Sequence, residues 1–240
     1  MTDFSKVSIV VPIFNEERTI RQVIERIETA DTCGLEKEII LVNDGSSDKT
    51  QEILNTYKNR FKICSYSKNL GKGAALKAGF GLISGDIVII QDADLEYSPE
   101  EYKILIAPIL HGEADVVFGS RLLTDRPHRV LYFWHSIFNK WITVFSNMLT
   151  NLNLSDMETG YKVFTKRILD NVSPKLESKR FGFEPEFTAR IAKLAKAGKC
   201  KIFEMGISYH GRTYKEGKKI GFKDGIETLY CIIKYNLFST

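Results

Sequence analysis

The chain has 240 residues, 43% of them hydrophobic and 27% charged, which is ordinary globular composition with enough length to bury a large core. Six prolines and 17 glycines exclude a collagenous or low-complexity chain, and no apolar run reaches the ~18 residues a spanning helix needs. The net charge of +4, from 34 basic and 30 acidic residues, suits phosphate-bearing or membrane-surface partners without specifying either.

The N-terminus, MTDFSKVSIVVPIFNEE, lacks the basic start, apolar stretch and small-residue cleavage site of a signal peptide. Residues 7–11 form a continuous apolar run ended by Pro12, which suits a strand buried on both faces. Ile20, Val23, Ile24 and Ile27 then recur at helical spacing. A second strand is expected at 38–42, a helix at 48–57, a strand at 61–66 and a helix at 71–83 that packs closely through Ala74, Ala75 and Ala78. Strands follow at 87–90 and 115–118. Strands alternating with helices of this length predict an α/β fold with a mostly parallel sheet. Right-handed crossovers put the strand C-terminal ends on one edge, where ligands bind.

In the second half, Val130, Trp134, Ile137, Phe138, Trp141, Phe145, Met148, Leu149 and Leu152 predict an aromatic amphipathic helix over 129–152. It suits either a core helix or one lying in a membrane interface. A helix at 185–197, a strand at 201–209 and a C-terminal helix at 222–238 complete the pattern. With no repeat and no linker, 1–240 is expected to be one domain: 1–125 a ligand-binding half, 126–240 a second half. Cys33, Cys64, Cys200 and Cys231 have no metal spacing and read as reduced thiols of a cytoplasmic protein.

Acids, amides and glycines collect just after the oily strands: Pro12-Ile13-Phe14-Asn15-Glu16-Glu17, Asn43-Asp44-Gly45-Ser46-Ser47-Asp48, Asn69-Leu70-Gly71-Lys72-Gly73 and Asp92-Ala93-Asp94. Two carboxylates at i and i+2 past a buried strand can converge on Mg²⁺ or Mn²⁺ through oxygen ligands, the remaining positions going to substrate phosphate and water. Asp44, at a second strand end, suits a ribose or base. Asp48 or Ser47 is a helix cap, and Glu184 or Glu186 is a helix-start acid or a sugar contact. The glycine turn around Lys72 lacks the spacing of a Walker A loop, which removes the main support for a kinase or ATPase. The acidic stretch at 12–17 argues against a pyrophosphorylase, and no basic stripe with interleaved aromatics outside 212–223 points to nucleic acid.

In this order, the four stretches resemble the family 2 glycosyltransferases with the GT-A fold. Gly119-Ser120-Arg121 and His210-Gly211-Arg212-Thr213-Tyr214-Lys215-Glu216-Gly217-Lys218 bring the likeness closest to the dolichyl- or polyprenyl-phosphate mannosyltransferase branch. The resemblance covers residues 7 to about 225 and loosens between Leu122 and Arg180. It implies an inverting transfer of a hexose from GDP-mannose or a UDP-hexose to a polyprenyl phosphate, on the cytoplasmic face of a membrane or beside a membrane-anchored partner. Pro12, Phe14, Glu16, Val42, Asp44, Lys72 and Ala93 would line the nucleotide sugar. Asp92 and Asp94 would hold the metal, with Glu96 as a third carboxylate where the branch often has Gln. Arg121, Arg129, Arg212 and Lys218 would face the diphosphate or the acceptor phosphate, with Asp94, Arg121, Arg212 and Lys218 carrying the catalysis. Phe14 and Asn43 depart from the family's usual Tyr and Asp.

Two other functions share these features. A hydroxyl acceptor would need a base, for which Asp156 or Glu158 is the candidate, although Asp156 and Thr159 also suit a turn. A nucleotide-sugar-binding regulatory subunit would have no need of the acidic pair.

Overall fold

The computed structural model describes residues 4–123, 128–130, 132–213, 216 and 222–239. A seven-stranded sheet has the order β3-β2-β1-β4-β6-β5-β7. Its strands are β1 (Lys6–Ile13), β2 (Glu36–Asn43), β3 (Lys62–Ser65), β4 (Ile87–Ile90), β5 (Val116–Ser120), β6 (Lys162–Thr165) and β7 (Ile202–Gly206). The helices are α1 (Ile20–Thr29), α2 (Thr50–Asn55), α3 (Lys72–Phe80), α4 (Tyr102–Leu110), α5 (Phe133–Thr150), α6 (Lys166–Val172), α7 (Phe183–Lys196) and α8 (Phe222–Ile233).

The sheet has a core on each face, which is why its strands read as continuous apolar runs. Val7, Ile9, Val11 and Ile13 of β1 point to one side, with α1 and α4, while Val10 points to the other, with α3, α6 and α7. In register, Pro12 lies beside Val42 and Ile13 beside Asn43, so the polar stretches after β1 and β2 emerge together.

The sheet is mostly parallel, as expected, and β6 is the strand that departs from that direction. It runs antiparallel to both β4 and β5. The segment leading into it, 156–161, therefore reaches the same rim as the C-terminal ends of the other strands. The expected helix at 48–57 is shortened to α2, because Asp48 folds back to accept from the Thr50 amide at 2.9 Å. The expected helix at 129–152 begins only at Phe133, because residues 128–130 are held extended: His128 bridges Tyr209, and the Arg129 amide donates to the Tyr209 carbonyl. It ends at Asn151, whose φ of 58° stops it in the left-handed region.

Candidate active site

The first two loops of the rim are tied to each other. The Asn15 amide donates to Ser46 Oγ at 2.9 Å, the Ser47 amide to Asn15 Oδ1 at 2.8 Å and the Glu17 amide to Asp48 Oδ2 at 3.1 Å. Asp44, expected to meet a ribose or base, is buried, and its two oxygens accept from the Leu70 and Gly71 amides at 2.8 Å each. It shapes the glycine turn. That turn needs glycine: Gly71 has φ +103°, and a Cβ there would lie 2.4 Å from the Lys179 carbonyl oxygen. Val42 also departs from expectation, because its side chain is buried in the core beneath Gly79 of α3. Pro12 and Phe14 are half-buried at the end of β1, and Ala93 is buried between the two acids of the next loop.

Of the acids at 92, 94 and 96, the first is engaged by Lys72, and the other two share Arg212. Asp92 is paired with Lys72 at 2.9 Å, and the same ammonium reaches Glu184 at 3.0 Å. Burial works against the Lys72 charge, but Asp92 and Glu184 outweigh it and hold the ammonium well above its ordinary pKa. Asp94 accepts from Arg212 Nη2 at 2.8 Å, and Glu16 pairs with Arg212 Nη1 at 3.2 Å. Glu96 accepts from the Tyr209 hydroxyl and from the Arg212 amide, both at 2.8 Å. Burial, followed by the neighbouring charges of Asp92 and Glu96, pushes Asp94 up to about 7 against the pull of Arg212.

The three-ligand metal set expected from the sequence does not form. Among the described residues, no three His, Cys, Asp or Glu side chains gather as a metal cage, because Glu96 is turned to Tyr209 and the Arg212 backbone. Asp92 and Asp94 still fit a hard divalent cation. They are oxygen donors on one short loop, and Arg212 already stands against Asp94 as a positive charge.

Arg121 and Asp156, expected as a phosphate-facing cation and a candidate base, face each other. Nε and Nη2 of Arg121 donate to the two Asp156 oxygens at 2.7 Å each, and the Arg121 amide donates at 3.0 Å. Asp156 has no exposed surface, and despite its burial Arg121 holds it below the ordinary carboxylate range. A carboxylate held ionised in this way is a weak base. Glu158 differs. Its Oε1 is buried without a hydrogen-bond partner, and burial, with the Glu184 charge, pushes it up to about 8. Arg129 donates to the Gly211 carbonyl and to Glu216, so it fastens the late basic motif. Lys218 lies outside the described residues.

Sequence reasoning missed the buried set that joins these parts. Lys162 is fully buried, donates to the Thr159 carbonyl and is lowered to about 8 by burial. Tyr97 accepts from the Gly160 amide at 3.0 Å. Gly160 has to be small, since a Cβ there would sit 2.4 Å from Asp92 Oδ2 and 3.1 Å from Lys72 Nζ. The signal was a lysine in an otherwise apolar strand, a position that costs too much to leave unpaired.

Comparison with known proteins gives the class. Residues 8–173 match the model of Glycosyl transferase family 2, and the chain belongs to that family. It is 31% identical over 219 residues to an undecaprenyl-phosphate 4-deoxy-4-formamido-L-arabinose transferase of Proteus mirabilis, covering 89% of this chain and 63% of that protein. It is 27% identical over 218 residues to a dodecaprenyl-phosphate galacturonate synthase of Rhizobium johnstonii, covering 89% of this chain and 61% of that one. The chain thus spans somewhat under two thirds of the length of these relatives. A glucosyl-3-phosphoglycerate synthase of Mycobacterium tuberculosis, crystallised with Mn²⁺, UDP and phosphoglyceric acid, superimposes with a TM-score of 0.72 at 20% identity, over 98% of this chain and 80% of that one. This likeness establishes the GT-A fold.

Proposed function

We propose that the protein transfers a hexose, with inversion, from a nucleoside diphosphate sugar to a polyprenyl phosphate at a membrane surface. The observation that carries this reading is one juxtaposition. An acidic, cation-holding rim at Asp92, Asp94 and Glu16 belongs to the same chain as a bare apolar face on α5, α8 and the helical turn Lys234–Phe238 that continues α8. Trp134 is 77% exposed, Met148 75% and Phe238 80%, and Phe133, Trp141, Tyr230 and Leu237 extend the face. Gly225 lets α8 close on Phe138, where a Cβ would lie 2.8 Å from the ring. No helix among the described residues is long and apolar enough to cross a membrane, so this face supports peripheral docking on lipid.

Asp92 and Asp94 would hold Mg²⁺ or Mn²⁺, with phosphate oxygens completing its shell. Held there, it would supply positive charge against a departing diphosphate. Lys72 aims Asp92 through their ion pair, and Arg212 brings a second positive charge to the same place. Lys218 is proposed as a further cation of this group.

The choice of acceptor rests on proton demand. A hydroxyl has a pKa near ~15.7 and needs a base. Asp156 is consumed by Arg121, and Glu158, at about 8, is mostly protonated at neutral pH. A phosphate monoester, with a second pKa near ~6, already carries its charge. The test is incubation with UDP- or GDP-hexoses, Mn²⁺ and either polyprenyl phosphate or free polyprenol and saccharides. Glycolipid should form from the phosphate alone. Turnover on hydroxyl acceptors only would reverse the assignment and make Glu158 the base.

A further inference from the structure

The acidic loop is already occupied by positive charge, and the Arg212 side chain supplies the part of it that can leave. Both oxygens of Asp94 are engaged. Oδ1 accepts from the Glu96 amide at 3.1 Å, and Oδ2 accepts from Arg212 Nη2 at 2.8 Å. A divalent ion that uses Asp94 therefore meets the guanidinium at the same oxygen, and like charges at that range repel strongly. The three acids of this loop meet two cations among the described residues, and each cation is shared with an acid from elsewhere: Lys72 with Glu184, Arg212 with Glu16. The loop thus keeps an excess of negative charge that favours a second, stronger cation.

The two resident cations are not held alike. Lys72 stands at 2.9–3.0 Å from acids on two sides. Arg212 has one short contact, at Asp94. Its Nη1 lies 3.2 Å from both Glu16 oxygens, and its Nε is buried without a hydrogen-bond partner, 3.5 Å from Glu96. A guanidinium offers five donors in a planar fork, and this one is poorly satisfied where it rests. The Arg212 backbone, by contrast, is fixed. Its amide donates to Glu96 Oε1 at 2.8 Å, and the His210 amide donates to the Glu96 carbonyl at 3.1 Å. The side chain can leave Asp94 while its point of attachment stays.

We propose that Arg212 is a resident counter-cation whose guanidinium competes with a divalent ion for Asp94, so that Arg212 is released to the phosphates only when the ion is held. This deepens the transfer reading above and rests on its metal site. It gives Glu96 a role other than ligand: it pins the backbone on which Arg212 turns. The cation that an incoming phosphate needs is withheld until the loop has its metal.

The test measures Mn²⁺ binding without nucleotide, from the loss of the free-ion EPR signal, in full-length wild type, Arg212→Gln, Arg212→Ala, Arg212→Lys, Asp94→Asn and the Asp94→Asn, Arg212→Gln double variant, with melting scans to confirm folding. Arg212→Gln and Arg212→Ala should bind Mn²⁺ about ten- to a hundredfold tighter than wild type, the usual range of coupling between two sites. Arg212→Lys, which keeps the charge, should stay close to wild type. The gain should vanish when Asp94 is also Asn. Unchanged or weaker Mn²⁺ binding in both neutral variants would overturn the competition and leave the transfer reading standing, as would a gain that survives Asp94→Asn. Absence of Mn²⁺ binding in wild type and in both neutral variants, even with UDP or GDP added, would overturn the metal site and the competition with it.

Discussion

The rim above the strand ends and the outer face of α5 and α8 carry opposite kinds of surface. At the rim, charge is matched to charge before any ligand arrives: Lys72 with Asp92 and Glu184, Arg121 with Asp156, Arg212 with Glu16 and Asp94. On the outer face, large apolar side chains are exposed to solvent among the described residues. A ligand at the rim has to replace existing partners, so its affinity depends on geometry and charge. A ligand on the outer face has only to remove apolar area from water, so affinity there scales with area and tolerates variety. Such a division suits an enzyme that is strict about a polar donor and loose about a hydrocarbon tail.

Two substitutions test whether the rim pairs are one machine or two. Arg121→Ala leaves Asp156 buried without its partner, which costs about 3–5 kcal/mol. At this chain size that lowers the melting midpoint by roughly 10 °C, readable by calorimetry. Arg121→Ala with an unchanged midpoint would mean that the ion pair is not structural and would return Arg121 to the acceptor phosphate. Asp94→Asn should act in the other direction. Arg212 keeps Glu16 as a partner when Asp94 becomes Asn, so the change strands no charge and should leave the melting midpoint nearly intact while turnover falls by about 10²–10³-fold, the scale of a removed electrostatic stabiliser. Initial rates with Mn²⁺ at saturating donor would show it.

The outer face is tested by Trp134→Glu with Trp141→Glu. Both side chains are exposed, so folding should be unaffected. Retention on anionic vesicles in a flotation assay should drop about a hundredfold or more, the loss expected when two apolar anchors, each worth about 1.5–3 kcal/mol, no longer bury. Turnover on a short-chain, water-soluble polyprenyl phosphate should persist.

The sequence made the donor half legible because its signals are local. Apolar runs of strand length, each followed by acids or glycines, place their own residues at the sheet edge whatever else the chain does. The acidic pair at 92 and 94 and the glycine turn at 71–73 are visible for that reason. What could not be read depends on contacts distant in sequence. The reversal of β6 is invisible in Lys162–Thr165, because four buried residues look alike in either direction. The pairing of Arg121 with Asp156 spans 35 residues, and that of Lys72 with Glu184 far more. Asp44 is expected at the ligand from its position after a strand and Val42 from the family resemblance, but the side chain of the first folds back to the glycine turn and that of the second packs into the core. α4 escaped because Pro108 and a nearly unbroken apolar run hide its period.

The smallest expected effect compares two buried acids by their response to pH. Glu38, on β2, accepts from Ser8 Oγ and the Ser84 amide and hydroxyl, and pairs with Lys62 at 2.7 Å. Burial opposes its charge, but these partners prevail and hold it at about 2. Its folded pKa is below the unfolded value, so its contribution is complete above ~4.5 and disappears as pH falls toward 2. Glu158 has the reverse sign. With a folded pKa of about 8, it favours the folded state while protonated, and that advantage drains away as pH rises through 8. Denaturant titrations of wild type against Glu38→Gln should therefore differ by about 1–2 kcal/mol at pH 6, allowing for screening, and converge only as pH falls to about 2. Glu158→Gln should gain about 1 kcal/mol on wild type between pH 7 and pH 9. If both variants shifted in the same direction with pH, the contrast between an acid satisfied by the fold and one buried with an unpaired oxygen would not hold.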